Sequence, residues 1–351
     1  MISKLFRPAL AAALLMPAAT LLAQPDSAKE ESYVPKIEGL IKVKLEESFY
    51  SGHARFDVRN SRFGVRGNIS KNMGYRTQVE FNNEGKLSVL DAYATYRVSI
   101  ASISLGQQEY AFSTDLARSP MQNIFANRSF VAKYTASYVD TADKVRLLSA
   151  RDIGGLLTVD LRRWFPVVLK AGLFNGSGLN NPVWQERFNI SAKVEYGGEQ
   201  GLQAAISSYS GRTPYAQRIA MLGGELRYIA PLFTVDGEVA QRTYEQNGKH
   251  TLTAAYLQGF YRFYLKPNTL ARYLAPTARY DVVCNGMYDS AAGQFDAQRL
   301  SVGVAMGVSR KPFTGEFRLN FEKYIASRKP DNFHTDELLH DKLTLEMVVR
   351  F

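Results

Sequence analysis

The chain has 351 residues, a formal net charge of +10, 20 Tyr, 20 Phe and a single cysteine. One cysteine excludes an intrachain disulfide, and no apolar run beyond Ala23 is long enough for a membrane-spanning helix. The excess of cations indicates an anionic partner. The mean hydropathy of −0.21 fits a water-soluble protein, and it fits equally well a membrane protein built from strands in which apolar and polar residues alternate.

Residues 1–23 predict a signal peptide. Lys4 and Arg7 form a basic start, and an apolar run from Ala9 to Ala23 ends at a suitable cleavage position. We therefore expect an exported protein with a short periplasmic leader at residues 24–35. Loss of these two basic residues, with no acidic residue, lowers the net charge from +10 to +8. An exported protein has little opportunity to meet nucleic acid, so we expect no nucleic-acid partner.

From residue 36 to the end, apolar and polar residues alternate in short segments. A strand of this kind can show one face to lipid and the other to water, and a tilted strand needs about 9–11 residues to cross a bilayer. The final segment, which ends on Phe351, is typical of bacterial outer-membrane β-barrels. The segments that alternate most clearly are Tyr75–Asn82, Leu90–Val98, Arg187–Tyr196, Arg299–Val308 and Lys342–Phe351.

Short and long connections follow one another along the chain, as short periplasmic turns and long external loops do in outer-membrane barrels. Seven short and eight long connections predict about 16 strands. We therefore predict an all-β fold, an antiparallel transmembrane β-barrel over residues 36–351, in the outer membrane of a Gram-negative bacterium. The predicted long connections are Glu47–Ala54, Asn82–Lys86, Gln108–Asp143, Asn175–Gln185, Tyr209–Gln217, Thr243–Thr251, Cys284–Ala297 and Ala326–His340.

The third long connection, Gln108–Asp143, is about three times the length of the others, and connections of this length are usually functional or disordered. It carries enough apolar residues to pack, so we predict that it folds into the lumen and narrows it. Its basic residues Arg118, Arg128 and Lys133 would then lie at the constriction.

Basic residues also recur on the polar faces of the strands. An Arg facing lipid at the membrane midplane costs roughly 2–4 kcal/mol, so these residues are expected to face the lumen. Most should pair with acidic residues on the same faces, and a few at the narrow point would select anions. The wall residues chosen for that role are Arg59, Arg62, Arg97 and Arg279. Other basic residues on the predicted lumen faces include Arg66, Arg76, Lys193, Arg227, Arg242, Arg299 and Arg318.

Several short segments resemble the phosphate-selective porin O and P family, in the form common in Bacteroidetes. They are Phe56–Gly67, Leu90–Tyr96, Leu105–Ser113, Arg151–Gly155, Leu173–Gly178 and Pro276–Asp281. The resemblance implies a sixteen-stranded, usually trimeric anion channel. The sequence departs from the family where Arg59 is followed by Asn60 instead of a second Arg, and where Gln108–Asp143 lacks a lysine cluster. These departures weaken the expectation of phosphate specificity more than that of anion preference.

Residues and resemblance together predict a homotrimeric porin that passes small anionic solutes, with phosphate as one candidate, and contacts outer-membrane lipid. No cofactor and no metal is expected. We do not expect an enzyme, because the four His lie mostly in loops and no nucleotide-binding, zinc or Ser/His motif accompanies them. The alternative is a non-transporting barrel that acts as an adhesin or a structural anchor. Such a barrel would have a plugged lumen and a third loop folded outward.

Overall fold

The protein is described here from a computed structural model. The described residues are 33–58, 60–81, 87–118, 122–136, 151–212, 218–245, 249–266, 270–289, 293–308, 314–329 and 339–351. The predicted signal peptide at 1–23 and residues 24–32 of the predicted leader lie outside these ranges, and both stay predictions. No helix among the described residues has the length and apolar character needed to cross a membrane.

The described chain forms one closed antiparallel β-barrel of sixteen strands, each paired with its neighbours in sequence. The strands are β1 (Lys36–Ser48), β2 (Ala54–Val58 and Ser61–Asn68), β3 (Met73–Phe81), β4 (Leu87–Val98), β5 (Ala101–Glu109), β6 (Arg151–Asp160), β7 (Val167–Phe174), β8 (Asn189–Tyr196), β9 (Gly201–Arg212), β10 (Arg218–Ile229), β11 (Phe233–Glu245), β12 (Lys249–Tyr261 and Phe263–Tyr264), β13 (Tyr273–Asp289), β14 (Gly293–Gly307), β15 (Thr314–Arg328) and β16 (Lys342–Arg350). The predicted fold class and strand number are confirmed.

The barrel closes where β1 pairs with β16, from Leu40 opposite Arg350 to Ser48 opposite Lys342. Just beyond this ladder, the Gly39 N–H donates to the Phe351 carbonyl at 2.8 Å, and the Phe351 N–H donates to the Gly39 carbonyl at 3.1 Å. A Cβ at position 39 would overlap the Phe351 ring. Glycine therefore leaves the space in which the terminal aromatic ring packs against the outer wall.

A bulge in β2 changes which residues face the lumen. Asn60 has a φ of 59°, a left-handed conformation that asparagine tolerates better than most residues. Before the bulge Asp57 lies opposite Lys44, and after it Arg62 lies opposite Leu40. An odd-numbered and an even-numbered residue therefore both point inward, because an inserted residue reverses the alternation.

The two faces of the barrel differ as the alternation predicts. The largest fully buried side chains include Arg242, Arg279, Arg299 and Arg318 on the inner face, whereas the outer face carries exposed apolar residues. Aromatic rings form a row on neighbouring strands near the short turns, with centroids 5.7 Å apart for Tyr228–Phe233 and 6.5 Å apart for Phe233–Tyr261. Such a row suits the interface between lipid and water.

Several strand boundaries differ from the sequence prediction, most of all those of β13 and β14. The connection predicted at Cys284–Ala297 was wrong in length, since β13 continues to Asp289 and β14 begins at Gly293. These strands extend beyond the apolar belt, where apolar and polar side chains no longer alternate, so the sequence pattern that predicts a strand is lost. The pairing of β13 with β14 also shifts register between Val283 and Gly286.

Candidate functional site

The described residues of the third loop, 110–118 and 122–136 between β5 and β6, enter the barrel. Its described part holds a single α-helical turn (α1, Thr114–Ala117) and a π-helical segment (Val131–Ala136). The loop backbone contacts polar side chains of the inner wall. Lys42 Nζ donates to the Ala126 carbonyl at 3.2 Å, and the Ala126 N–H donates to Asn320 Oδ1 at 2.9 Å. The predicted inward fold of the third loop is confirmed for these residues.

The start of the loop is attached to the opposite wall. The Ser113 side chain caps α1 by accepting from the Leu116 N–H at 3.1 Å. The Thr114 N–H donates to Glu225 Oε1 at 3.1 Å, and Lys193 Nζ donates to Thr114 Oγ1 at 2.9 Å. Because β8 and β10 supply these partners, α1 is bound to one wall while residues 126–130 are bound to another.

Arg118 faces carboxylates. Its guanidinium lies 3.2 Å from Asp115 and 2.8 Å from Asp236 of β11. Burial would raise the pKa of the Asp115 carboxyl, but attraction to Arg118 and Arg279 and a hydrogen bond from Ser129 outweigh burial and hold this pKa below its usual value of 3.8. Asp115 is therefore ionised at neutral pH and neutralises much of the charge of Arg118.

Arg279 is covered by the loop. Its side chain is 0% exposed, its Nε donates to Asp281 at 2.9 Å, and its Nη2 donates to the Asn127 carbonyl at 3.0 Å. The guanidinium also lies 4.4 Å from the centre of the Phe125 ring, a favourable cation–π distance. Arg279 thus holds the loop against the wall.

Asp281 connects several of these groups. It accepts from the Phe130 N–H at 2.9 Å and from Arg299 Nη2 at 2.9 Å, while the same Arg299 nitrogen donates to the Arg128 carbonyl at 2.6 Å. The loop is consequently fixed by a buried network in which charges are paired, as buried charges need to be.

Arg128 and Lys133 occupy different parts of the loop. Arg128 is partly accessible, and its Nη1 donates to the Leu116 carbonyl at 3.4 Å. Burial and the nearby positive charge of Arg62 lower the pKa of the Arg128 guanidinium. Lys133 Nζ lies in the π-helical segment, 4.9 Å from the centre of the Tyr134 ring. Of the three predicted loop cations, Arg128 is the one beside the wall arginines.

A cavity of about 410 Å³ lies inside the barrel between the described part of the loop and strands β1 to β6, reached also by β16. We call it the passage. Among the described residues its basic lining consists of five arginines: Arg62, Arg66, Arg76, Arg151 and Arg350. Its acidic lining in the same part of the chain consists of Glu38, Asp91 and Glu109.

Ion pairs orient most of these arginines. Glu38 lies 2.6 Å from Arg66 and 3.2 Å from Arg76, and Asp91 lies 3.0 Å from Arg76 and 2.6 Å from Arg151. The carboxylates are shared, so each of them holds two guanidinium groups in place. The passage therefore presents several guanidinium groups held in position by carboxylates, and the fork of a guanidinium group suits oxyanions.

The predicted wall residues are divided between several places. Arg62 lines the passage and pairs with Glu80. Arg97 lies at the end of β4 near a short turn, with Nη1 3.3 Å from Asn68 Oδ1, and Arg279 lies behind the loop. Arg59 lies outside the described residues. The roles assigned to these residues in solute passage stay predictions.

Sequence reasoning did not single out the other four arginines of the passage. Alternation placed Arg66 and Arg76 on lumen faces, but nothing in the sequence distinguished them from a dozen similar residues. Arg151 and Arg350 are the first and last residues of β6 and β16. Alternation had placed Arg350 on the polar face of its strand without giving it a role, whereas Arg151 became apparent only from the three-dimensional arrangement.

Comparison with known proteins shows which class of protein has this fold. The family described as phosphate-selective porin O and P matches residues 42–159. Among solved structures, the anion-selective porin from Comamonas acidovorans has a TM-score of 0.65 at 11% identity, covering 90% of this chain and 98% of that chain. OmpF of Salmonella typhi, in complex with daunomycin, has a TM-score of 0.62 at 12% identity, covering 90% and 97%. The trimer form of OmpT from Vibrio cholerae has a TM-score of 0.58 at 10% identity, covering 91% and 98%.

At these identities the structural likeness concerns the fold alone, and no curated protein matches the chain in sequence. The closed barrel, the inward third loop and the family match together define an outer-membrane porin of a Gram-negative bacterium. The resemblance to the phosphate-selective porin O and P family is confirmed over residues 42–159.

Proposed function

We propose that this porin is a passive diffusion channel that prefers small anionic solutes, phosphate among them. The observation that carries the proposal is the lining of the passage, where five arginines stand against three carboxylates among the described residues. A few cations in excess at the narrowest part of a pore are enough to select anions. Arginine forks also offer paired hydrogen bonds to phosphate oxygens.

The loop contributes by position more than by its own charge. Arg118 is offset by Asp115 and Asp236, so the wall arginines and Arg128 provide most of the positive field in the passage. No energy coupling and no cofactor are required, because a preferred ion moves down its gradient. We further propose export by the predicted signal peptide and assembly as a homotrimer, as in the trimer form of OmpT from Vibrio cholerae.

The test is single-channel recording of purified protein in a planar bilayer under a KCl gradient, repeated with added phosphate. We expect a reversal potential displaced towards the chloride limit and a concentration-dependent reduction of chloride current by phosphate. An ohmic pore without ion preference would refute the anion proposal while leaving a porin. Folded protein without conductance would refute transport and favour the adhesin or anchor role.

A further inference from the structure

A basic cavity of about 700 Å³ lies on the outside of the barrel, where the fourth loop (residues 175–188) meets strands β8 to β11. Arg187, Arg212 and Arg218 line it. Arg212 and Arg218 are direct cross-strand partners, an arrangement that is destabilising for like charges. An anion held between the two guanidinium groups would remove that repulsion.

Protein carboxylates neutralise these arginines poorly. Arg218 lies 3.9 Å from Glu245, and the two side chains are 66% and 53% exposed, so this pair contributes little. Within the described ranges, Arg187 and Arg212 form no ion pair. The lining also contains two carboxylates, those of Glu186 and Glu245, so the three arginines leave the cavity a net charge of +1 for a ligand.

The cavity belongs to the lipid-facing side of the wall. Arg218 shares its strand face with Leu222 and Leu226, which are 60% and 59% exposed. Leu222 is four residues from Arg218, or about 13 Å along the strand. The guanidinium groups therefore lie at the extracellular edge of the apolar belt, at the level of the headgroups of the outer leaflet.

A second feature lies on the same face towards the membrane centre. Gly224, Gly237 and Ala255 form the floor of an open groove of about 510 Å³, bordered by Val239 and Leu257. A Cβ on Gly224 would meet only the Val239 side chain, at 3.9 Å. The missing side chain thus leaves an apolar trough that begins about 20 Å below the arginines.

We infer that this face of β8–β12 binds a phosphorylated glycolipid of the outer leaflet. Its phosphate would occupy the cavity of Arg187, Arg212 and Arg218, and an acyl chain would lie in the groove at Gly224. A free phosphate ion would use the cavity alone, whereas the groove on the same face requires an attached hydrocarbon chain. This site is separate from the passage and does not depend on what the channel transports.

The test is native mass spectrometry of detergent-purified protein titrated with diphosphorylated lipid A and with the same lipid after dephosphorylation. We expect the double variant R212A/R218A to bind the phosphorylated lipid about tenfold more weakly than the wild type does. The dephosphorylated lipid should bind weakly, and equally so, to the variant and to the wild type. The matched control is Lys323→Ala. Lys323 faces outward on β15 and is already paired with Asp341 at 2.5 Å, so this variant should bind as the wild type does.

A second variant tests the groove. Gly224→Val fills the groove at a position where an added Cβ meets only Val239, at 3.9 Å. This variant should weaken binding of the acylated lipid while leaving binding of inorganic phosphate unchanged. Equal lipid affinity in the wild type and R212A/R218A would overturn the inference. Phosphate binding that R212A/R218A abolishes, without lipid binding, would identify an ion site in place of a lipid site. Conductance of the wild-type channel tests the proposed function separately.

Discussion

At the scale of single residues, the electrostatic field in the passage depends on which arginines are paired with a carboxylate. Arg350 lines it, is exposed and has no ion pair among the described residues, whereas Arg66, Arg76 and Arg151 are held by carboxylates. An unshared cation at the surface of a pore contributes to its field without contributing much to the stability of the wall. A substitution of Arg350 should therefore change the electrostatic field of the passage without destabilising the fold.

We expect Arg350→Gln to lower the chloride-to-potassium permeability ratio by about two- to fivefold, since one charge in water-filled surroundings is worth roughly 1 kcal/mol at 4 Å. The measurement is the reversal potential under a KCl gradient. The matched control is Arg162→Gln, a cation at a turn that pairs with Asp160 outside the passage, and it should leave the ratio unchanged. An unaltered ratio in Arg350→Gln would contradict the role of this arginine.

A change of the opposite sign is expected at Glu38, which neutralises part of Arg66 and Arg76. Glu38→Gln removes a negative charge from the passage and should raise the chloride preference by about twofold. Glu199→Gln, at the turn between β8 and β9, is the control with the same chemistry outside the lumen. If both variants gave the same reversal potential, the carboxylate at position 38 would have no part in selectivity.

At the scale of elements, the third loop is placed by side chains of the wall more than by its own propensity. Its two short helical segments are a single α-helical turn and six π-helical residues, too short to be stable alone. Asp281 holds the backbone of Phe130 and the two guanidinium groups of Arg279 and Arg299. The loop therefore owes its position to residues distant from it in sequence.

Asp281→Asn would remove the nearer of the two carboxylates that Arg279 and Arg299 share, leaving them Glu322 at 3.9 and 3.3 Å. Breaking a buried pair of this kind costs about 3–5 kcal/mol. We expect the loop to detach in part, with larger and noisier single-channel currents and faster proteolysis within residues 110–136. Asp160→Asn, which disrupts an exposed pair, is the control. Wild-type currents and protection in Asp281→Asn would show that other contacts suffice to hold the loop.

At the scale of the whole molecule, the barrel inverts the usual arrangement of a soluble protein. Charged side chains such as Arg242 and Arg318 are buried on the inside, and apolar side chains are exposed on the outside. Lipid is the solvent for that outer face, and closure leaves no strand edge unpaired in the membrane. Closure rests on the pairing of the first and last strands.

Gly39→Val tests this closure. A side chain at position 39 would overlap the Phe351 ring, and displacing the ring should cost about 1–3 kcal/mol, as overpacking does. We expect the folded barrel to lose its compact electrophoretic mobility at a lower temperature than the wild type. Gly198→Val, where an added Cβ has nothing within 4 Å, is the control. Equal unfolding temperatures would mean that the Phe351 contact adds nothing to closure.

The amino-acid sequence alone determined the class of fold, the number of strands and the face on which Arg62, Arg66 and Arg76 lie, because alternation and connection length are local properties of the chain. The lengths of β13 and β14 were not predicted, since their outer parts leave the lipid and with it the reason to alternate.

Only the tertiary structure decided which cations are available to a solute. Arg118 and Asp236 are 118 residues apart in sequence and 2.8 Å apart in space, and no local pattern encodes such a contact. The same holds for Arg279, which the loop covers, and for Arg151, which Asp91 and Glu109 turn into the passage. A charge acts according to its neighbours in space, and in a barrel those neighbours come from distant strands.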